Sequence, residues 1–235
     1  MTKLGSIYVA ELERLRERVL FMSATVEEMV EGSVRAFLKR DSKLASRLRA
    51  RDDEIDSLES EIDQRCVRLF ARRQPVACDL RFVATVFKLV THLERIGDLG
   101  EGICERVVEL SEYPAQPVAR SLIRMSGMAP DMLHQAMDAF ANRDTVKARV
   151  VMQRDAELDQ LYAQTFPELT ADLSRSRESI EWATRLQSVG KGLERIGDEA
   201  TNISELVVFM VEGSHVRRHH REQISDERRL RVGNG

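Results

Sequence analysis

The sequence predicts an all-α protein made of two tandem three-helix bundles that are related by internal duplication. Aromatic residues make up only 5% of the chain and charged residues 32%, a composition typical of long amphipathic helices. Three phrases recur at an offset of about 100 residues, which is the signature of a duplicated unit. They are AFLKRD at 36–41 and AFANRD at 139–144, RDDEID at 51–56 and RDAELD at 154–159, and LERIGD at 93–98 and 193–198.

Helical periodicity predicts three helices in each copy. The first three are expected at 8–40, 42–72 and 76–111, and the second three at 118–142, 144–173 and 177–212. The segment YPAQP separates the copies, so we expect one bundle at 8–112 and another at 118–213. From residue 214 to residue 235 the apolar face is lost, which predicts a disordered tail.

Side chains and prolines mark several helix ends. Asp41 and Asp144 are predicted N-caps, because an acid can accept hydrogen bonds from the free amides of the first turn. Pro75 suits the first turn of the third helix. Pro130, near Gly127, is predicted to kink the fourth helix, and Pro167 the fifth.

Charge and cysteine content narrow the class of protein. A formal net charge of −3 disfavours binding of nucleic acid. The three cysteines show no CxxC spacing, which argues against a disulfide framework and a cysteine zinc site. The segment MTKLGSIYVAELERLRERV carries charges where a signal peptide would need its apolar core, so we expect no signal peptide. The longest apolar run, LVVFMV, is too short to span a bilayer. We therefore expect a cytoplasmic protein without direct membrane insertion.

Acidic residues flank the buried stripe of the third helix in each copy. Leu93, Ile96 and Ile103 step by three and four residues along the predicted core face. At about 100° per residue, the neighbouring acids fall on one strip beside that face, and the acids of the second helix do the same. The strip contains Asp52, Asp56, Glu94, Asp98, Glu101 and Glu105 in the first copy, and Asp155, Asp159, Glu194, Asp198 and Glu205 in the second. Asn202 lies next to the strip and is a further candidate ligand.

Like charges four residues apart destabilise a helix, so this placement requires a reason. A divalent or trivalent cation provides one, because hard ions bind clustered carboxylate oxygens. Alternatively, these are solvated acids paired with Arg51, Arg95, Arg154 or Arg195. Gly97 and Gly197 stand inside the acidic turns, and either close helix packing or room for an ion would explain them.

Catalytic motifs are missing from the sequence. A ferritin-like di-iron enzyme needs inward-facing Glu-x-x-His pairs, and the one match, Glu212 to His215, has no counterpart in the other copy. Neither a Gly-rich phosphate loop nor an HExxH motif is present. We therefore do not expect an enzyme, although a carboxylate-bridged di-iron enzyme and a metal-free structural adaptor remain alternatives.

The repeated ERIGD motifs, together with RQPVACDLR at 73–81, resemble the PhoU family of regulators of bacterial phosphate transport. The resemblance covers about residues 8–215. It implies a cytoplasmic regulator that binds several metal ions, iron above all, with manganese, magnesium or zinc as alternatives. The ligands it implies are the paired acids at Asp52 and Asp56, Glu94 and Asp98, Asp155 and Asp159, and Glu194 and Asp198.

The two copies differ at one position of the implied site. The second has Asn202, whereas the first has Gly102, and Glu101 is a candidate to compensate.

The resemblance also implies partners, namely the phosphate transporter ATPase subunit and the phosphate-sensing histidine kinase. Such a regulator represses phosphate-starvation genes when phosphate is plentiful. We expect a homodimer. The RQPVACDLR motif is the predicted docking surface, with Arg73, Gln74, Pro75, Asp79 and Arg81 as partner-binding residues.

Overall fold

The computed structural model describes residues 3–73, 75, 77–114, 117–171 and 176–213. Within these ranges the chain forms seven α-helices and no β-strand, which confirms the predicted all-α class. The predicted tail at 214–235 lies outside the described residues. The helices are α1 Lys3–Lys39, α2 Ser42–Arg49, α3 Asp52–Arg73, α4 Ala77–Leu110, α5 Arg120–Asn142, α6 Thr145–Ala171 and α7 Arg177–Glu212.

The duplicated helices pack around a single hydrophobic core. Helices α1 to α4 come from the first copy and α5 to α7 from the second. The long helices α4 and α7 pack along each other at the centre, and α1 also contacts α5. Buried apolar side chains form one continuous cluster that reaches from Leu15 in α1 to Met210 in α7. The two copies therefore share their interior.

The predicted helix at 42–72 is wrong in one respect, because it is divided into α2 and α3. The Arg51 amide donates to the Leu48 carbonyl at 2.9 Å, a bond of the tighter i to i−3 type that interrupts the α-helical ladder. Basic residues end α2, and Asp52, Asp53 and Glu54 begin α3. Basic side chains stabilise the partial negative charge at the C-terminus of α2, and acidic side chains stabilise the partial positive charge at the N-terminus of α3. The distribution of charge therefore favours a break between the two helices. The second copy has Ala156 where the first has Asp53, and α6 is continuous.

The corner between the first two helices is built in the same way in both copies. Arg40 and Arg143 have left-handed backbone angles, with φ values of 52° and 55°. The next amide, of Asp41 or Asp144, then donates to a carbonyl five residues earlier at 2.9 Å. Such a pattern ends a helix by a Schellman-type motif.

Both predicted N-caps are confirmed. The Asp41 carboxylate accepts from the Leu44 amide at 2.9 Å. The Asp144 carboxylate accepts from the Val146 and Lys147 amides, each at 3.0 Å.

The prolines do not end the helices that contain them. Pro130 lies inside α5 and Pro167 inside α6, and both helices continue past these positions. Pro75 is buried and lies two residues before α4, rather than in its first turn. None of the helices in the described ranges is long and apolar enough to cross a membrane.

Candidate metal centre and partner surface

Two glycines bring the acid-bearing helices of each copy close together. A Cβ atom added at Gly97 in α4 would lie 2.9 Å from Cδ1 of Ile55 in α3. A Cβ at Gly197 in α7 would overlap Cδ2 of Leu158 in α6. Ile55 and Leu158 are both buried, at 1% exposure each. Close helix packing therefore explains both glycines.

This packing places the carboxylates of α3 and α4 in one electrostatic environment. On α3, Asp56 directly follows Ile55, and Asp52 lies about one turn before it. On α4, Asp98 directly follows Gly97, and Glu94 lies about one turn before it. Partial burial, followed by the charges of Asp98, Glu101 and Asp56, raises the pKa of Asp52 to about 6. The α3 and α4 acids therefore repel one another across the helix contact.

The same repulsion affects the acids on α4. Partial burial, followed by the charges of Asp98, Glu59 and Asp56, raises the pKa of Glu94 to about 7. The pKa of Asp98 is also raised, by burial and then by Asp56 and Glu101. These groups therefore favour a bound proton, or another cation, more strongly than ordinary surface carboxylates do.

Glu59 belongs to this group, although the sequence analysis missed it. Burial raises its pKa, and the charges of Asp63, Asp56 and Asp98 add to the shift, while a 3.2 Å hydrogen bond from Thr91 opposes it. Glu59 was not among the predicted metal ligands, because those were chosen as residues that repeat in both copies and the second copy has Tyr162 at this position. Its position one turn after Asp56 on the same helix face was the available signal. We call Asp52, Asp56, Glu59, Glu94 and Asp98 the first acidic cluster.

Glu101 lies at the edge of the first acidic cluster with a partner of its own. Nε of Arg49, the last residue of α2, donates to the Glu101 carboxylate at 3.1 Å. The break between α2 and α3 thus supplies a cation beside this predicted ligand.

Several of the corresponding residues in the second copy have polar side-chain partners. The Glu194 carboxylate accepts from Lys191 at 2.6 Å. The Thr201 hydroxyl donates to Asp155 at 3.3 Å, and the Asn202 amide donates to Glu199 at 3.0 Å. We call Asp155, Asp159, Glu194, Asp198 and Asn202 the second acidic cluster. Its polar partners Lys191, Thr201 and Glu199 lie on α7, whereas in the first acidic cluster Thr91 of α4 donates to Glu59.

The arginines considered as alternative partners bind other acids. Arg51 pairs with Glu28 and Glu54, and Arg154 pairs with Asp131. Arg95 lies 3.9 Å from Glu199. These three arginines therefore do not pair with the predicted metal ligands in the structure.

The donor atoms fit a hard cation, although they are not gathered around one point. Within the described ranges, no three His, Cys, Asp or Glu side chains form a group that would hold an ion. The predicted ligands are carboxylate and amide oxygens, which suit iron(III), manganese or magnesium better than zinc. Partial burial, together with the charges of neighbouring carboxylates, raises the pKa of Asp52 and Glu94, and this shift favours a cation in the first acidic cluster.

A buried carboxylate that the sequence analysis missed connects the two copies. Glu199 in α7 is 9% exposed, and its carboxylate lies 2.6 Å from Nδ1 of His92 in α4. The first copy has Leu99 at the equivalent position, so the repeat gave no signal for Glu199. His92 is half-buried in this contact. His92 is thus a packed residue at the contact between the two copies.

In the described part of the predicted docking motif, Asp79 and Arg81 both make contacts within the chain. The Tyr8 hydroxyl donates to Asp79 at 3.0 Å, and burial, followed by Asp79, raises the pKa of Tyr8 to about 12. Nε of Arg81 donates to the Met210 carbonyl of α7 at 3.3 Å, near the helix end at Gly213. Asp79 therefore links α4 to α1, and Arg81 links α4 to the C-terminal end of α7.

Other motif residues differ in accessibility. Pro75 is buried. Gln74 and the side chain of Arg73 lie outside the described residues. Leu80 is 43% exposed, so a large accessible apolar side chain of the described motif belongs to a residue that was not among the predicted contacts.

Comparison with known proteins identifies the family. The model of the PhoU domain matches the chain twice, at residues 19–107 and 122–207. These matches fall on the two copies, α1 to α4 and α5 to α7. Two curated relatives carry the name of a phosphate-specific transport system accessory protein. The PhoU homologue of Pseudomonas putida is 40% identical over 209 residues, which is 88% of this chain and 82% of that protein. PhoU of Escherichia coli K12 is 34% identical over 208 residues, which is 88% of this chain and 86% of that protein.

Solved structures agree with the fold. The crystal structure of PhoU from Pseudomonas aeruginosa superposes with a TM-score of 0.84 at 38% identity, covering 88% of this chain and 100% of that one. The phosphate transport system regulatory protein PhoU from Streptococcus pneumoniae superposes with a TM-score of 0.82 at 30% identity, covering 89% and 99%. The sequence resemblance is thereby confirmed, and the chain belongs to the PhoU family.

Proposed function

We propose that this protein is a negative regulator of phosphate uptake and of the phosphate-starvation response. The family match over both copies carries the proposal, because relatives that align over most of their length are named as accessory proteins of the phosphate-specific transport system. The protein acts as a cytoplasmic adaptor rather than as an enzyme. It couples the transporter ATPase subunit to the phosphate-sensing histidine kinase, and it functions as a homodimer.

The exposed side of the RQPVACDLR motif is the proposed docking surface. Leu80 is an exposed apolar side chain of this surface. Its neighbours Asp79 and Arg81 contact Tyr8 of α1 and Met210 of α7. An Arg81→Glu variant would disturb the contact with α7 as well as any partner contact. Leu80 is therefore the better position for a test.

The test is a pull-down of the ATPase subunit and the kinase with a Leu80→Asp variant. We expect binding of at least one partner to be lost, because the variant places a charge in an apolar contact. Val146→Asp is the matched control, since Val146 is 73% exposed on α6. Unchanged binding of both partners by the folded Leu80→Asp protein would contradict the docking assignment.

We further propose that metal ions, iron above all, bind both acidic clusters. The first would use Asp52, Asp56, Glu94 and Asp98, with Glu59 as an additional donor, and the second would use Asp155, Asp159, Glu194, Asp198 and Asn202. A bound cation cancels the repulsion between carboxylates on neighbouring helices. It thereby stabilises the helix packing that presents the docking surface.

Elemental analysis of protein purified without chelator tests the metal proposal, together with the melting temperature after addition of iron, manganese, magnesium or zinc. Binding at about 100 times the dissociation constant stabilises the folded state by about 2.7 kcal/mol. The Asp52→Asn/Glu94→Gln variant should lose much of this response. The control is Glu13→Gln/Glu17→Gln, two exposed acids on α1. Absence of both bound metal and a metal-dependent melting temperature would refute the proposal.

A metal-free adaptor is the second candidate. The ion pairs of Glu101 with Arg49 and of Glu194 with Lys191 favour it, because these predicted ligands already have cationic partners. Dialysis against a chelator followed by the partner pull-down separates the two candidates. A metal-free adaptor keeps its partners after this treatment, whereas a metal-dependent adaptor loses them.

A further inference from the structure

Four arginines line one groove between α1 and α3, away from both acidic clusters. The groove has a volume of about 190 Å³ and is lined by Glu11, Arg14, Arg65, Arg68, Leu69 and Arg72. Leu69 is 4% exposed and belongs to the hydrophobic core. The groove therefore combines basic walls with an apolar base.

Most of the positive charge in this groove is not balanced within the described ranges. Arg65 donates to the Glu61 carboxylate at 2.8 Å, but Glu61 also accepts from Arg18. Arg14, Arg68 and Arg72 have no ion pair or hydrogen bond to another described side chain. Among the described residues of the wall there is one acid, Glu11. An excess of guanidinium groups thus faces a single concavity.

Repulsion between the arginines of α3 destabilises this helix. Arg65, Arg68 and Arg72 are spaced by three and four residues, so they lie on one face of the helix. Like charges at this spacing destabilise a helix. Helix packing does not explain the cost, because Leu69 rather than an arginine contributes the buried side chain of this turn.

The duplicated fold does not require this set of arginines. At the offset of 103 that aligns RDDEID with RDAELD, the second copy retains an arginine at only one of the four positions. Its residues are Pro117 for Arg14, Glu168 for Arg65, Ala171 for Arg68 and Arg175 for Arg72. The concentration of four arginines is therefore a property of the first copy.

We propose that this groove binds a tetrahedral phosphate-type oxyanion, either orthophosphate or the phosphoryl group of a small phosphate monoester. Guanidinium groups donate pairs of parallel hydrogen bonds to phosphate oxygens, and several arginines from two helices can surround one such anion. The anion removes the repulsion between Arg65, Arg68 and Arg72. The site is separate from the acidic clusters and does not depend on metal binding or on the proposed adaptor role.

Isothermal titration calorimetry of the full chain at low ionic strength tests the site, because exposed charges are screened by salt. Orthophosphate, phenyl phosphate and acetate are titrated in turn. We expect a phosphate ligand to bind and Arg68→Ala/Arg72→Ala to weaken it by about tenfold or more, since hydrogen bonds to charged groups are lost. The control is Arg35→Ala/Arg47→Ala, which removes the same charge from exposed positions outside the groove.

The outcomes distinguish the source of the phosphate. Tighter binding of orthophosphate indicates the free ion, and tighter binding of phenyl phosphate indicates a monoester. The proposal is overturned by acetate binding as tightly as either phosphate, by no phosphate binding to the native chain, or by equal weakening in the control. A thermal melt without ligand monitors folding, and the groove variant should melt at the native temperature or above it, because it removes like charges.

Discussion

Single glycines determine how closely the acid-bearing helices approach. A glycine inside a helix costs about 1 kcal/mol relative to alanine, yet Gly97 and Gly197 occupy equivalent turns of α4 and α7. Each accommodates a buried side chain from the neighbouring helix. The cost of the glycine is thus offset by packing that also brings carboxylates together.

Replacing Gly197 by alanine should lower the free energy of unfolding by about 1 to 3 kcal/mol, because the new methyl group overpacks Leu158. Gly102→Ala is the matched control, since nothing lies within 4 Å of a Cβ at that position in α4. The control should gain about 0.5 to 1 kcal/mol from the higher helix propensity of alanine. Urea denaturation measures both values, and a Gly197→Ala protein as stable as the control would refute the packing argument.

Individual carboxylates should also make stability depend on pH. The folded pKa values of Asp52 and Glu94, about 6 and about 7, exceed the unfolded values of about 4. Between about pH 4 and about pH 7 these two groups hold more protons in the folded state than in the unfolded state, so their contribution to the stability of the metal-free protein falls as pH rises. His134, whose pKa is raised by Glu27, contributes in the same direction.

Glu94→Gln isolates the carboxylate contribution to this dependence. We expect the loss of stability between about pH 5 and about pH 7.5 to be smaller in this variant than in the native chain. Thermal melts at both pH values provide the measurement, with Glu13→Gln as an exposed control. An unchanged pH dependence would show that Glu94 titrates as an ordinary surface acid.

At the scale of the helices, charge at the ends decides where an element begins. Asp41 and Asp144 cap the helices that follow the repeated corner. The clustered bases of α2 and acids of α3 divide one predicted helix into two. This division places Arg49 beside Glu101, so an end effect changes the surroundings of a predicted ligand.

Asp144→Ala should destabilise the protein by about 1 kcal/mol, because the first turn of α6 loses its side-chain acceptor. Asp144→Ser should retain most of the stability, since serine is also a strong N-cap. Chemical denaturation of the three proteins measures the difference. Equal loss in both variants would indicate that the pairing of charge, rather than the cap, stabilises this corner.

At the scale of the whole molecule, the two bundles pack against each other around one continuous hydrophobic core. Helices α4 and α7 approach closely enough for a Cβ at Gly192 to lie 3.2 Å from Ile103. Glu199 of one copy lies beside His92 and Arg95 of the other. Arg81 of α4 also donates to the Met210 carbonyl of α7, and the Arg40 guanidinium lies 4.8 Å from the ring centroid of Trp182 in α7.

The two halves should therefore not fold independently. Chains covering 3–114 and 117–213, expressed alone, should show no cooperative thermal unfolding, because each leaves the α4 or α7 face of the shared core in water. Coexpression should restore a cooperative transition. Calorimetry measures this, and a sharp transition in either isolated half would contradict the single-core interpretation.

The sequence by itself determined the helical class, the duplication, both aspartate caps and the strip of repeated acids, because all of these follow from spacing along one chain. It did not indicate Glu59 or Glu199, which do not repeat, and it did not reveal that Arg81, a predicted partner-binding residue, also contacts α7. Only the tertiary structure decided that Gly97 and Gly197 serve close packing, that the copies share a core, and that arginines from α1 and α3 form one groove. The physical reason is that contacts between helices depend on their separation and rotation, which periodicity within a single helix does not specify.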